Sequence, residues 1–347
     1  MPPVHASPRA RRDSLDSRAM HALLWDGTAA RVISRDEPSL SPGRALVRMT
    51  RAGICNTDLE IAKGYMSFRG VLGHELVGVV VEGPDAWRRK RVVVEINFAC
   101  GACVMCEQGL GRHCPARTVM GILGADGAFS ETVSVPVANL HAVPDDIDDD
   151  HAVFAEPLAA AFEVTAQVTV TKGMRCVVLG DGKLGILVAQ VLAGTGADVR
   201  VIGKHEEKLA LLRAPRLRIG GVRSEIRTAL FDAWSPENER ADVVVEATGS
   251  ARGFAAAVSA TRPRGTLVQK STVAGEMKLD LAPIVINELT VVGSRCGRFE
   301  PALAALGAGD IDVTPLISAR FPLARAEQAL THAATAGTLK VLLENDD

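Results

Sequence analysis

The sequence predicts an α/β protein that pairs a doubly wound parallel sheet with a mostly β, barrel-like domain. Three observations predict it. Short strands broken by Gly and Pro turns fill residues 22–143, apolar strand and helix runs alternate from residue 174 onward, and a glycine loop joins the first of those strands to a helix. A chain of 347 residues has room for about two domains.

The first 18 residues are rich in Arg, Pro and Ser and read as a disordered tail; Arg11-Arg12 precedes no apolar stretch, so an export signal is rejected. The fold is expected to start at Met20, itself a candidate initiator, with a strand over 20–25. Residues 45–49, 76–81 and 91–95 are further strands, punctuated by Gly83-Pro84, Gly101 and Asp126-Gly127. An acidic run, Asp145 to Asp150, precedes an expected helix over 151–168 and suits that helix's dipole. Beyond it, strands are expected over 175–179, 199–202, 242–246 and 265–268, with helices over 183–192, 206–212 and 254–260. The expected boundaries are a tail over 1–19, a barrel domain over 20–155 and 296–347 with a cysteine lobe at 97–115, and a nucleotide domain over 156–295.

Composition narrows the function. With 39 basic and 41 acidic residues the net charge is −2, so no global field draws the chain to nucleic acid or an anionic membrane. The basic run Arg88-Arg89-Lys90-Arg91 sits in a turn and reads as a solvated face. No apolar run reaches the length of a membrane span. Of the seven cysteines, four cluster between Cys100 and Cys114, which suggests metal ligation by reduced thiols in a cytoplasmic protein.

That cluster, Cys100-x2-Cys103-x2-Cys106-x7-Cys114, lets a tight turn aim successive thiolates at one centre. Four thiolates close a tetrahedral zinc shell and leave no open position, so the site is structural. A second, catalytic site draws on three separated segments: Cys55 with Thr57 and Asp58, His74 with Glu75, and Glu156 at a helix start. Catalytic zinc needs three mixed protein ligands and one open position. Asp58 is placed to orient the His74 ring, and Thr57 to take the alcohol proton.

Gly180-Asp181-Gly182-Lys183-Leu184-Gly185 matches G-x-G-x-x-G after a strand and before a helix, the context that dinucleotide binding requires. An acidic residue is expected at the end of the next strand if the cofactor's ribose is unmodified. The chain has Gly203-Lys204-His205 there, which favours NADP, with NAD as the alternative; Gly203→Asp is then expected to shift preference toward NAD.

Together, these residues resemble the zinc-containing medium-chain dehydrogenase/reductase superfamily, over residues 20–343. The Cys-x-Thr-Asp, Gly-His-Glu, four-cysteine, Glu-Pro-Leu, glycine-loop and Glu-Ala-Thr-Gly runs stand in that family's order. The resemblance implies a chaperonin-10-like barrel, a Rossmann domain, a cleft between them, and homodimers or homotetramers joined through the Rossmann sheets. It implies Cys55 and His74 as catalytic-zinc ligands with Glu75 or Glu156 as third. It places Ala247 and Thr248 near the nicotinamide and Lys340 at the pyrophosphate. Glu60 stands where many members have a relay histidine, which leaves the proton's exit open. The expected activity is hydride transfer between a small secondary alcohol, polyol, sugar or amino alcohol and NADP or NAD. The rivals are a zinc-independent enone or quinone reductase and a non-catalytic nucleotide-binding relative.

Overall fold

The computed structural model describes residues 18–213, 218–219, 222–223, 225–272 and 276–345. Most of the expected N-terminal tail lies outside the described residues. The first domain starts with an antiparallel hairpin, β1 (Ala19–Trp25) and β2 (Ala30–Asp36). Then come β3 (Arg44–Ile54), the short helix α1 (Asn56–Ile61), β4 (Glu75–Glu82), β5 (Arg91–Val94), β6 (Thr132–Pro136) and β7 (Leu140–Ala142).

Two helices follow where one was expected: α2 (Asp149–Ala152) and α3 (Ala155–Gln167). Asp148 caps the first by accepting the His151 N–H at 2.8 Å. The acidic run does more than suit a helix dipole. Asp150 meets Arg51 and Arg320 at 2.9 Å each, and Asp149 accepts from Thr50 at 2.6 Å, so these carboxylates tie α2 to the barrel strands.

The second domain runs β8 (Arg175–Leu179), α4 (Lys183–Gly194), β9 (Asp198–Gly203), α5 (Glu206–Leu212), β10 (Ile226–Leu230), β11 (Ala241–Glu246), α6 (Ala251–Ala260), β12 (Thr261–Gln269), α7 (Ala282–Ile286) and β13 (Thr290–Gly293). The chain returns through α8 (Phe299–Gly307), β14 (Ile317–Pro322), α9 (Ala326–Ala333) and β15 (Lys340–Glu344).

The second domain's sheet is six-stranded and wholly parallel, in the order β10-β9-β8-β11-β12-β13. The order reverses between β8 and β11, so a crevice opens at the carboxyl ends of those two strands. In β8, Cys176 to Leu179 are all buried, as a strand covered on both faces requires. Helix α4 buries Ile186, Leu187, Val188 and Leu192 against that sheet, each aliphatic side chain contributing about 1.5–3 kcal/mol. Helix α8 packs into the same core beside α3, with Phe299 and Leu303 among the buried residues.

The barrel sheet runs β7-β5-β4-β3-β15-β14, with β6 also paired to β3. Strand β15 lies antiparallel to β3, with Val341 opposite Ile54, so the end of the chain reaches the residues just before Cys55. Phe68 packs in the barrel core, Tyr65 against it, and Met66 is exposed. Arg88, Arg89 and Lys90 are exposed in the turn before β5. Among the described residues no helix is long and apolar enough to cross a membrane.

Candidate active site and metal centres

Ends of barrel strands bring two of the separated segments together. Cys55 directly follows β3 and caps α1; His74 precedes β4 and Glu75 opens it, with Gly53 and Glu75 paired in register. One donor atom each from Cys55, His74 and Glu75 lie within 4.8 Å of one another. His74 and Glu75 are buried and Cys55 is half-buried. Glu156, on the first turn of α3, is not part of that set but faces it: its carboxyl feels the charges of His74 and Glu75. The geometry thus groups Glu75 with the thiol and the imidazole.

The residues around the triad fix its orientation. Asp58 is fully buried; its Oδ2 accepts the Cys55 N–H at 2.8 Å and its Oδ1 lies 3.3 Å from His74 Nδ1. Contact at Nδ1 leaves the other ring nitrogen for a metal. Burial pushes the Cys55 thiol up, yet a hydrogen bond and charge from His74, with Lys183 nearby, bring it below the usual thiol range. His74 is pushed down by burial, but Asp58 holds it well above the ordinary imidazole value. Burial raises Glu156. Glu75 Oε1 is buried without a hydrogen-bond partner. A thiol prone to ionise, an oriented imidazole and an unsatisfied buried carboxylate oxygen are the donor set that suits zinc. Thr57 is half-buried, its Oγ1 3.9 Å from the Cys55 sulfur. Glu60, near the end of α1, pairs with the exposed Lys63 at 2.8 Å while its own side chain is mostly buried.

The cysteine lobe is also assembled. Sulfur separations are 3.5 Å for Cys103–Cys106 and Cys100–Cys114, 3.7 Å for Cys103–Cys114 and 4.0 Å for Cys100–Cys106. A tetrahedral zinc–thiolate shell with bonds of about 2.3 Å has sulfur–sulfur edges of about 3.8 Å. The four thiols fit one ion.

Gly180, Asp181, Gly182, Lys183, Leu184 and Gly185 lie at the crevice, between β8 and α4. A Cβ at Gly185 would meet the Gly180 carbonyl oxygen at 2.1 Å, so the close approach of helix to strand admits only glycine. Ala247 and Thr248 follow β11 beside the loop: the Ala247 N–H bonds to the Leu179 carbonyl at 2.8 Å, and Glu246 holds the Thr248 N–H at 2.7 Å.

Two expectations need correcting. Lys340 does not stand open to a pyrophosphate. It is fully buried, paired with the equally buried Glu75 and set over the Phe154 ring at 5.4 Å, because strand alternation puts it on the face of β15 that it shares with Leu342, which packs in the same core as Phe154. Gly203 has no room for aspartate: a Cβ there would lie 2.5 Å from the Asp181 Cβ. Nor is the end of β9 without a carboxylate, since Asp181 supplies one from the glycine loop.

Lys183 is expected from sequence only as a member of the glycine loop, and no motif singles out Lys270 or Arg112. Lys183 Nζ reaches across the cleft and donates to the Ile54 carbonyl at 2.9 Å, while burial lowers its affinity for a proton. Lys270 is buried beyond β12, lowered by burial to about 8, and donates to Ser294 at 3.1 Å. Arg112, from the cysteine lobe, donates to Glu163 at 3.1 Å and to the Cys296 carbonyl at 2.6 Å. Each contact joins residues more than 20 positions apart, beyond any local motif.

Comparison with known proteins agrees with this architecture. Residues 41–145 match the alcohol dehydrogenase GroES-like domain and residues 184–308 the zinc-binding dehydrogenase domain. The chain is 32% identical over 327 residues to L-threonine 3-dehydrogenase of Streptomyces avermitilis, covering 89% of this chain and 94% of that protein. It is 29% identical over 328 residues to sorbitol dehydrogenase of Halalkalibacterium halodurans, with the same coverage. The crystal structure of a protein described as a zinc-binding dehydrogenase from Sinorhizobium meliloti 1021, bound to NADP, superimposes with a TM-score of 0.84 at 26% identity, covering 94% of this chain and 99% of that one. The chain belongs to the zinc-type medium-chain dehydrogenase/reductase superfamily. It is an NAD(P)-dependent oxidoreductase of the alcohol and polyol dehydrogenase kind.

Proposed function

We propose that this chain moves a hydride between a secondary carbinol of a polyol, sugar or amino alcohol and a nicotinamide dinucleotide, at a zinc site formed by Cys55, His74 and a glutamate. One observation carries the proposal: donor atoms of Cys55, His74 and Glu75 meet within 4.8 Å, next to a half-buried Glu156 and across from the glycine loop. Similarity to sorbitol and threonine dehydrogenases supports a polyhydroxylated or amino-alcohol substrate.

The protein's own groups divide the work. Cys55, His74 and Glu75 would hold the metal, with Glu156 as the alternative carboxylate. Asp58 fixes the His74 ring. Bound there, zinc would supply Lewis acidity toward the substrate oxygen, and the nicotinamide would supply a hydride acceptor or donor. Thr57 takes the hydroxyl proton, and Glu60, three residues further along α1, offers it an exit. Lys183 spans from the glycine loop to the carbonyl before Cys55 and so holds the two halves of the cleft in register. An enone or quinone reductase does without a thiol–imidazole–carboxylate triad, so the convergence favours the alcohol chemistry.

The four-thiol lobe needs a reducing compartment, which favours the cytoplasm. A second copy of the chain fits the outer strand of the parallel sheet. Strand β13 is an open edge, and Leu281, Val285, Ile286 and Val291 are exposed beside or on it, making an apolar surface that suits a homodimer. Light scattering on the wild type and on Val285→Glu with Ile286→Glu tests this: a dimer should become a monomer.

The activity is tested with a panel of polyols, sugars, amino alcohols and ketones, followed by the absorbance of the reduced nicotinamide. Wild type should turn over members of the panel and Cys55→Ala should not, while still binding cofactor. Retained turnover in Cys55→Ala removes the zinc role.

A further inference from the structure

The glycine loop delivers a carboxylate to the end of the neighbouring strand. Asp181 is 8% exposed, and its Oδ2 accepts the Lys204 and His205 N–H groups at 2.7 Å each and lies 3.0 Å from His205 Nδ1. A Cβ at Gly203 would meet the Asp181 Cβ at 2.5 Å, Oδ2 at 2.6 Å and Cγ at 2.7 Å. The Asp181 side chain therefore fills the volume that a side chain at position 203 would occupy. In parallel nucleotide-binding sheets an acidic side chain at that strand end accepts from the adenosine ribose hydroxyl. Here the same chemical group arrives from the loop 22 positions earlier. Three donors converge on Oδ2, and no described hydrogen bond uses Oδ1, which is left to accept from a ligand hydroxyl.

Cations lie nearby, but further into solvent. Lys204 and Arg252 line an open cavity of about 560 Å³ together with Leu230, Phe231, Asp232 and Ala233. Arg252 is engaged by Asp232 at 2.8 Å and lies over the Phe231 ring at 4.5 Å. Lys204 is exposed, so water and salt screen its charge. The buried carboxylate is screened far less.

We infer that Asp181 is the residue that selects the cofactor, accepting from the 2′-hydroxyl of the adenosine ribose and disfavouring a 2′-phosphate, so that the chain prefers NAD over NADP. This rests on the dehydrogenase assignment and reverses the preference expected from Lys204 and His205 alone. A 2′-phosphate would set two like charges together, which an interface resists strongly. In Asp181→Asn, the amide oxygen still accepts from the two main-chain N–H groups while the negative charge is gone.

The test is direct binding, without substrate. The zinc-loaded wild type, Asp181→Asn and Lys204→Ala are each titrated with NADH and with NADPH, followed by nicotinamide fluorescence, and circular dichroism verifies folding. Wild type should bind NADH at least about tenfold more tightly than NADPH. Asp181→Asn should erase most of that ratio, chiefly by tighter NADPH binding, and Lys204→Ala should leave NADH affinity within about twofold, as expected for a screened surface charge. Tighter NADPH binding by the wild type, or an unchanged ratio in folded Asp181→Asn, overturns the inference and leaves the dehydrogenase assignment standing. Failure of the wild type to bind either nucleotide overturns both.

Discussion

Replacing Lys340 by methionine strands a buried charge on the face of the barrel sheet that packs toward Phe154. Lys340 and Glu75 are each 0% exposed and paired, and the second carboxylate oxygen of Glu75 has no hydrogen-bond partner. Methionine keeps much of the length and volume of the lysine stem but offers no charge, so the Glu75 carboxylate loses its counter-ion in a low-dielectric setting. Breaking a buried pair from one side costs about 3–5 kcal/mol, against a total stability of about 5–15 kcal/mol. At about 2–4 °C per kcal/mol for a large domain, the melting temperature should fall on the order of 10 °C. Glu75→Gln should also destabilise, since it strands the ammonium. The double variant should recover at least about 2 kcal/mol relative to the sum of the singles, because neither charge is then left alone. Zinc should rescue Lys340→Met in part, since a cation beside Glu75 replaces the ammonium. Urea unfolding of metal-free and zinc-loaded protein measures all of these. Single variants within about 1 kcal/mol of wild type in metal-free protein, with additive doubles, refute the reasoning.

Two further outcomes follow from burial. Gly203→Asp should lower stability by about 1–3 kcal/mol through overlap with Asp181, without gaining NAD selectivity; a stable variant with an improved NAD to NADP binding ratio contradicts the packing at β9. Lys270 is 7% exposed, and burial lowers it from 10.5 to about 8. The folded state therefore releases this proton at lower pH than the unfolded chain. The cost of burying the ammonium is fully present below pH 8 and is relieved as pH rises from 8 toward 10.5, so this group makes stability rise across that window. Urea midpoints of wild type and Lys270→Met at both ends of the window test this: the variant should lack the part of the pH slope that Lys270 supplies, and equal slopes in the two proteins contradict the shift.

The parts of this molecule written in local sequence were legible before the fold. Two-residue gaps bring Cys100, Cys103 and Cys106 to one turn, and the strand–Gly180–helix context marks the nucleotide crevice, because both devices close within a few residues. The meeting of Cys55 with His74 was inferred from residue type; its geometric cause is the antiparallel β3–β4 register, which sets Gly53 opposite Glu75. Contacts that depend on distant register stayed hidden. Glu75 and Lys340 are 265 positions apart, and only the β3–β15 pairing turns the lysine toward the carboxylate. Likewise, no acidic residue follows Ile202 along the strand, whereas Asp181 enters the same volume from the adjacent loop. The expected helix over 151–168 divides at Val153 and Phe154 because Pro157 has no N–H to give the Val153 carbonyl and fits only the first turn of a new helix.

Counting zinc tests the central claim most directly. Plasma emission spectrometry of purified wild-type protein should give two zinc ions per chain, and Cys55→Ala should give one, with the cysteine lobe still loaded. A wild type with a single ion, or a Cys55→Ala variant that keeps both, contradicts a metal centre built from Cys55, His74 and Glu75.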